Sequence, residues 1–302
     1  MQIDWRGVYP AATTEFGTDG ALALEATARH LDAMIAAGIR GVVMLGTVGE
    51  NTSLEYDEKL AVVRAALEAS HGRIPVLAGV AEYTTALGCR FARDAEKAGA
   101  DGLMVLPAMV YKSDPRETMK HFRAVARSTG LPVMCYNNPT VYGVDLTPEM
   151  FAAMADEPNL LAIKESSEDV RRLTDLKNLT GGRYALLQGV DDLALEGALL
   201  GALGWVSGLA NAFPGESVQL WDLAVSGQVE QALPLYRWFM PLLHLDTSPK
   251  LVQYIKLAAA MTGMGAEYVR APRLLVEGDE RARIAKIVEQ AIATRPALVE
   301  VN

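Results

Sequence analysis

The sequence predicts an α/β chain folded as a (β/α)8 TIM barrel with a C-terminal helical extension. Three observations carry this. Short apolar runs recur eight times, at residues 7–11, 41–45, 75–80, 102–106, 132–136, 160–164, 184–188 and 204–207. Their spacing, roughly 20 to 35 residues, is that of a strand plus a crossover helix. After Ser207 the strand signals stop and only helical periodicity remains.

Between the runs lie amphipathic helical patterns. Residues 24–37 carry apolar side chains at helical spacing and stop at Gly38; residues 86–98 stop at Gly99 and residues 117–129 at Gly130. A glycine just past the last periodic residue relieves the left-handed conformation in which helices commonly end. Helix, glycine and short apolar strand in repeated order imply parallel strands joined by crossovers. An open doubly wound sheet is the other arrangement, but no Gly-x-Gly-x-x-Gly follows the first strand. Residues 1–213 are assigned to the barrel. Residues 214–302 are assigned to an extension of helices at 216–226, 228–243, 250–261 and 279–294, expected to pack on the barrel or on another subunit.

Of the 302 residues half are apolar and 22% are charged, enough apolar side chains for a large core. The net charge of -9 argues against nucleic acid or an anionic membrane surface as a partner. The longest uncharged stretch, residues 197–215, contains Ser207, Asn211 and Pro214, so it reads as helix end, strand and loop rather than a membrane span. Cys89 and Cys135 are the only cysteines, and the first residues have no basic stretch leading into an apolar run. A reducing, cytoplasmic setting is therefore expected. His30, His71, His121 and His244 share no metal-ligand spacing, and no metal is expected.

In such a barrel the chemistry sits on the loops at the C-terminal ends of the strands. The second strand ends at Gly46-Thr47-Val48-Gly49-Glu50, a turn whose N–H groups can face an anion; Glu50 argues for a single carboxylate rather than a polyphosphate. Tyr111 lies in the loop after the fourth strand. The fifth strand ends at Tyr136-Asn137-Asn138-Pro139, the seventh at Gly189-Val190-Asp191-Asp192 and the eighth at Ser207. Tyr136 is either a buried hydroxyl satisfied by backbone or a proton-transfer phenol. Asp191 and Asp192 either cap a helix or bind substrate hydroxyls or the neighbouring loop, and Ser207 either closes the polar end of a pocket or satisfies a strand terminus.

The sixth strand holds the central oddity. Leu160-Leu161-Ala162-Ile163 is followed by Lys164, where the pattern asks for another apolar residue. A lysine there either snorkels out or pairs with Glu165, or its pKa drops and it becomes a Schiff-base nucleophile.

Taken together, Gly-Thr-Val-Gly-Glu, Tyr-Asn-Asn-Pro and Ile-Lys-Glu resemble the dihydrodipicolinate synthase / N-acetylneuraminate lyase superfamily along essentially the whole chain. The resemblance implies class I Schiff-base chemistry on a 2-oxo acid, with no cofactor, in a homotetramer built as a dimer of dimers. It implies Lys164 as the Schiff-base lysine, Tyr136 as the proton-transfer phenol and Thr47 as the hydroxyl relay. The turn at Gly46, Thr47 and Val48 would hold the carboxylate, and Tyr111 would be lent across a dimer interface. Gly189, Asp191 and Ser207 complete the expected substrate contacts.

Two departures narrow this expectation. Synthases of the family carry an arginine two residues after the proline of Tyr-Asn-x-Pro; here that position is Val141. The usual second threonine of the turn is Val48. Stretches such as Tyr142-Gly143-Val144-Asp145, Lys164-Glu165-Ser166-Ser167-Glu168-Asp169 and His244-Leu245-Asp246 resemble the 1-pyrroline-4-hydroxy-2-carboxylate deaminases of bacterial hydroxyproline breakdown. That resemblance implies a small 2-oxo or 2-imino acid substrate, deaminated and dehydrated to 2,5-dioxopentanoate. A 2-keto-3-deoxy sugar acid aldolase or dehydratase, a dihydrodipicolinate synthase and a non-catalytic ligand-binding barrel are the alternatives.

Overall fold

A computed structural model describes residues 3–298. All eight predicted strands form, with ends shifted by at most one residue: β1 Gly7–Pro10, β2 Val42–Met44, β3 Val76–Val80, β4 Gly102–Val105, β5 Val133–Asn137, β6 Leu160–Glu165, β7 Ala185–Gln188 and β8 Gly204–Ser207. The helices are α1 Leu24–Ala36, α2 Tyr56–Ser70, α3 Thr85–Ala98, α4 Pro115–Arg127, α5 Pro139–Tyr142, α6 Pro148–Ala153, α7 Arg172–Thr180, α8 Ala194–Leu199, α9 Pro214–Val225, α10 Val229–Leu243, α11 Leu251–Met261 and α12 Gly278–Ala293.

The strands are parallel and run in the order β1-β8-β7-β6-β5-β4-β3-β2. Single links between β1 and β2 bring the ring round: Ala12 N–H donates to Val43 O at 2.9 Å and Arg40 N–H to Val8 O at 2.9 Å. The chain is a (β/α)8 barrel with further helix at its C-terminal end. Among the described residues no helix is long and apolar enough to cross a membrane.

Strand side chains alternate between two cores. Val8, Val42, Val105, Cys135, Ile163 and Trp205 face the helices. Tyr9, Val43, Leu77, Met104, Met134, Ala162, Leu187 and Val206 fill the lumen. Both faces are buried, which is why the strands read as continuous apolar runs rather than alternating ones.

This parity decides what the strand ends present. Two residues beyond Met134, Ala162, Leu187 and Val206 come Tyr136, Lys164, Gly189 and Gly208, all on the lumenal side. Glu165 and Asn137 fall on the opposite face. Hence Lys164 does not pair with Glu165, whose carboxylate accepts from Asn137 Nδ2 at 3.1 Å and from Ser167 N–H at 2.7 Å.

The tail after α10 crosses the C-terminal mouth. Ile255 of α11 packs with the lumenal core. Lys256, fully buried, donates to Thr14 O at 2.7 Å, Glu50 Oε1 at 2.9 Å and Tyr268 O at 2.5 Å. Ala266 N–H donates to Glu15 Oε2 at 2.8 Å and Arg270 N–H to Glu50 Oε2 at 3.0 Å. Glu50 therefore straps the tail to the barrel and does not face a ligand, contrary to its expected place beside the anion turn. Its carboxylate is fully compensated by the tail's donors, so it has none left for the mouth.

Candidate active site

The mouth holds a cavity of about 420 Å³. Gly46, Thr47, Val48, Tyr136, Val141, Lys164 and Gly189 line it, so the ends of β2, β5, β6 and β7 meet as the barrel rule requires. The N–H groups of Thr47 and Val48 have no acceptor among the described residues, so the turn can receive a carboxylate through its backbone.

Lys164 is 5% exposed and projects into this space. Among the described residues its amine makes no hydrogen bond and no ion pair. It lies 4.1 Å from the centre of the Tyr136 ring, its register partner on β5. Burial pulls its pKa down to about 8, against the upward pull of the Asp246 and Asp191 carboxylates. Gly189 makes this possible: a β-carbon there would overlap Ser166 Oγ and stand 2.8 Å from Lys164 Cε. Gly189 thus supports the lysine.

Burial pushes the Tyr136 phenol up to about 12, so it is protonated at neutral pH. Its oxygen accepts from Asn138 Nδ2 at 3.1 Å, leaving its own proton free to donate. Thr47 does not meet Tyr136. Its hydroxyl bonds the hydroxyl of Tyr142, which stands edge-on to Tyr136 with ring centres 5.6 Å apart. Tyr142, at the end of α5, therefore lies between Thr47 and Tyr136. Burial first, then Tyr136, raises its pKa well above the usual phenol range.

Three expected site residues do not line the cavity. Asp191 is fully buried, and its carboxylate accepts from Trp205 Nε1 at 2.9 Å, Ser207 Oγ at 3.2 Å, Gly208 N–H at 3.3 Å and Leu209 N–H at 2.7 Å. It organises the loop after β8, the neighbouring-loop alternative above, and has no acceptor capacity left for substrate. Burial nevertheless holds its pKa up, at about 6. Ser207 donates to Asp191 and accepts from Ala210 N–H at 3.1 Å, so it satisfies a strand terminus. Tyr111 is 60% exposed, and its hydroxyl donates to Glu117 at 3.1 Å.

Residues outside the expected set also line the cavity, and four of them bring polar groups that matter below. Asn138 and Ser166 come two residues after Tyr136 and Lys164; Ser166 Oγ is buried without a hydrogen-bond partner among the described residues. Asp246 and Arg273 come from the tail. Arg273 Nη1 donates to Ser53 Oγ at 3.1 Å and lies 3.8 Å from Glu50. Asp246 belongs to the His244-Leu245-Asp246 stretch noted above, but nothing local marks it or Arg273 as a site residue, because each reaches the mouth only through the way the tail folds across it.

The sequence profile of the Dihydrodipicolinate synthetase family matches residues 4–291. The chain belongs to this family. A 4-hydroxy-tetrahydrodipicolinate synthase of Methanothrix thermoacetophila is 33% identical over 288 residues, covering 94% of this chain and 96% of the relative. That of Xanthomonas campestris pv. campestris is 38% identical over 226 residues, 75% of each chain. The crystal structure of the chloride-inhibited dihydrodipicolinate synthase of Acinetobacter baumannii, complexed with pyruvate, superposes with a TM-score of 0.90 at 26% identity, covering 95% of this chain and 99% of that one. Membership of this family of Schiff-base-forming lyases makes the chain an enzyme. The specific deaminase resemblance has no counterpart among these relatives, which carry the name that stood among the alternatives.

Proposed function

We propose that Lys164 is the Schiff-base nucleophile for a small 2-oxo or 2-imino acid, and that the reaction is dehydration and deamination of 1-pyrroline-4-hydroxy-2-carboxylate to 2,5-dioxopentanoate and ammonia. The observation that carries the Schiff-base reading is an unpaired amine, brought towards neutrality by burial, at the floor of a cavity beside a protonated phenol. The narrower reading rests on Val141, an apolar side chain on the cavity wall where a second carboxylate would need a cation.

The substrate carboxylate docks on the N–H groups of Thr47 and Val48. Neutral Lys164 attacks C2, and the ring C2–N bond breaks with proton transfer through Tyr136, Tyr142 and Thr47. The resulting iminium acidifies C3. Loss of that proton gives an enamine, whose electrons expel the C4 hydroxyl as water. A proton shift from C5 to C3 then moves the double bond to C4–C5, and tautomerisation makes the C5 amine a terminal imine; its hydrolysis releases ammonia, and hydrolysis at Lys164 frees the product. One water leaves and two are consumed, so the net reaction adds one water and needs no redox partner.

A second reading is 4-hydroxy-tetrahydrodipicolinate synthesis. It is favoured by the names of the relatives and by the guanidinium of Arg273 on the cavity wall. Purified enzyme is assayed for ammonia release from the pyrroline, for condensation of pyruvate with aspartate semialdehyde, and for pyruvate release from 2-keto-3-deoxy sugar acids. Ammonia release alone supports the deaminase; condensation alone replaces it with the synthase, and pyruvate release with the aldolase. Absence of a borohydride-trapped adduct at Lys164 with every substrate would sink the Schiff-base reading and favour a binding barrel. A homotetramer is part of the same proposal, tested by light scattering against the 32.5 kDa chain mass.

A further inference from the structure

The lumenal positions at the ends of β7 and β8 are both glycine. Lys164 lies over Gly189, as described. A β-carbon on Gly208 would likewise overlap Asp246 Oδ1 and stand 2.7 Å from Ile255 Cδ1. Two adjacent strands thus lack side chains where the lumen opens. A lysine fills one vacancy from β6, and a carboxyl fills the other from the tail. With strand order β5-β6-β7-β8, Tyr136 flanks the amine on one side and Asp246 on the other.

We propose that Asp246 is a catalytic residue, the general acid that protonates the departing C4 hydroxyl. The inference rests on the deaminase reading above and assigns a step that Tyr136 does not cover. A substrate bonded to Lys164 through C2 has the phenol on its β5 flank, where the C2 and C3 protons move. Its C4 hydroxyl then points towards β7 and β8, where Asp246 stands. In the step, the enamine nitrogen's electron pair re-forms the C2–N double bond, the C2–C3 π pair moves to make a C3–C4 double bond, and the C4–O bond breaks. The Asp246 proton joins the leaving oxygen as water, and the residue becomes a carboxylate beside the new iminium.

The surroundings suit an acid. Burial, then repulsion from Asp191, lifts the Asp246 pKa well above the usual carboxylate range, opposed by Lys164. Asp191 is fixed on the β8 loop by its four donors and cannot turn away. Whenever the nitrogen at Lys164 is neutral, as in the enamine from which the hydroxyl departs, these neighbours favour the protonated form of Asp246.

The test is Asp246→Asn, which keeps shape and removes the transferable proton. Two readouts are taken above the lysine's midpoint: ammonia release from 1-pyrroline-4-hydroxy-2-carboxylate, and borohydride trapping with 1-pyrroline-2-carboxylate, which has no hydroxyl to lose. The expected result is ammonia release slowed by about 10²–10⁴-fold, with trapping at Lys164 retained within a few-fold. Retained trapping also reports a folded site. Ammonia release within tenfold of the unmodified enzyme overturns the assignment. So does parallel loss of both readouts, which would make Asp246 a positioning residue for Lys164. If the unmodified enzyme traps substrate but releases no ammonia, the deaminase reading fails, and this proposal with it.

Discussion

The pKa of Lys164 gives the most direct test of the site. An ordinary lysine near 10.5 is neutral in only about 0.03% of molecules at pH 7. With the value at about 8, roughly a tenth is neutral at pH 7, a gain of about 300-fold in nucleophile. Only the neutral amine attacks, so trapping falls as pH drops below the midpoint and levels off above it. The expected curve rises about tenfold per unit below the midpoint and flattens above it. Burial lowers the value while Asp246, then Asp191, raise it. Removing the Asp246 charge in Asp246→Asn should therefore move the midpoint down. The assay is the initial rate of borohydride-trapped adduct by intact mass, at saturating 1-pyrroline-2-carboxylate, across the pH range. A rate still climbing through the ordinary lysine range would mean that burial does not govern this amine. A midpoint that rises in Asp246→Asn would refute the electrostatic coupling.

Tyr142→Phe should slow turnover by about 10²–10⁴-fold by breaking the link between Thr47 and Tyr136; the same loss in Tyr111→Phe, with Tyr142→Phe unaffected, would place the phenol beside Thr47 on Tyr111 of a second copy instead. Gly189→Ala must displace Ser166 and Lys164, so trapping should be lost together with about 1–3 kcal/mol of stability in urea unfolding; normal trapping would show that the lysine has another path into the cavity. Lys256→Met removes the only hydrogen-bonded cation of buried Glu50 among the described residues, leaving the Arg273 guanidinium at 3.8 Å, and unfolding should register a loss of about 3–5 kcal/mol; a loss under about 1 kcal/mol would show that Arg270 N–H and Arg273 satisfy Glu50 by themselves.

Eight strands and the Gly-ended helices were legible because a parallel barrel buries both faces of each strand, leaving unbroken apolar runs between turn signals. Lys164 was legible for the same reason, as a charge inside such a run. Its environment was not. Whether a strand-end lysine pairs or stays free depends on parity and on what stands opposite, here Gly189 and Tyr136. Asp191 and Ser207 were placed at the right strand ends, yet a loop's hydrogen bonds with them were invisible in the sequence. Tyr142 was readable as a residue but not as the partner of Thr47, since the contact joins the loops after β2 and β5. Asp246 and Arg273 lie in the connections between tail helices, where helical periodicity says nothing about which turn overhangs the mouth.

The distribution of charge in the cavity bears on which acid enters it. Arg273 restores a cation that Val141 removes, but not an equivalent one: its guanidinium already donates to Ser53 and stands near the Glu50 carboxylate. Part of its field is cancelled before any substrate arrives. Elsewhere on the cavity wall Asp246, with Asp191 nearby, places carboxyls beside Lys164. At an effective dielectric of about 20, two unit charges 4 Å apart interact by about 4 kcal/mol. A second substrate carboxylate near Asp246 would therefore meet repulsion, or force that group to stay protonated. A neutral hydroxyl in the same place meets a hydrogen-bond donor. In the proposed reaction the loops after β2, β5 and β6 meet the 2-oxo acid end of the substrate, while the tail faces the rest of the molecule. On that wall the electrostatics favour a monocarboxylate carrying a hydroxyl two carbons from the reacting centre.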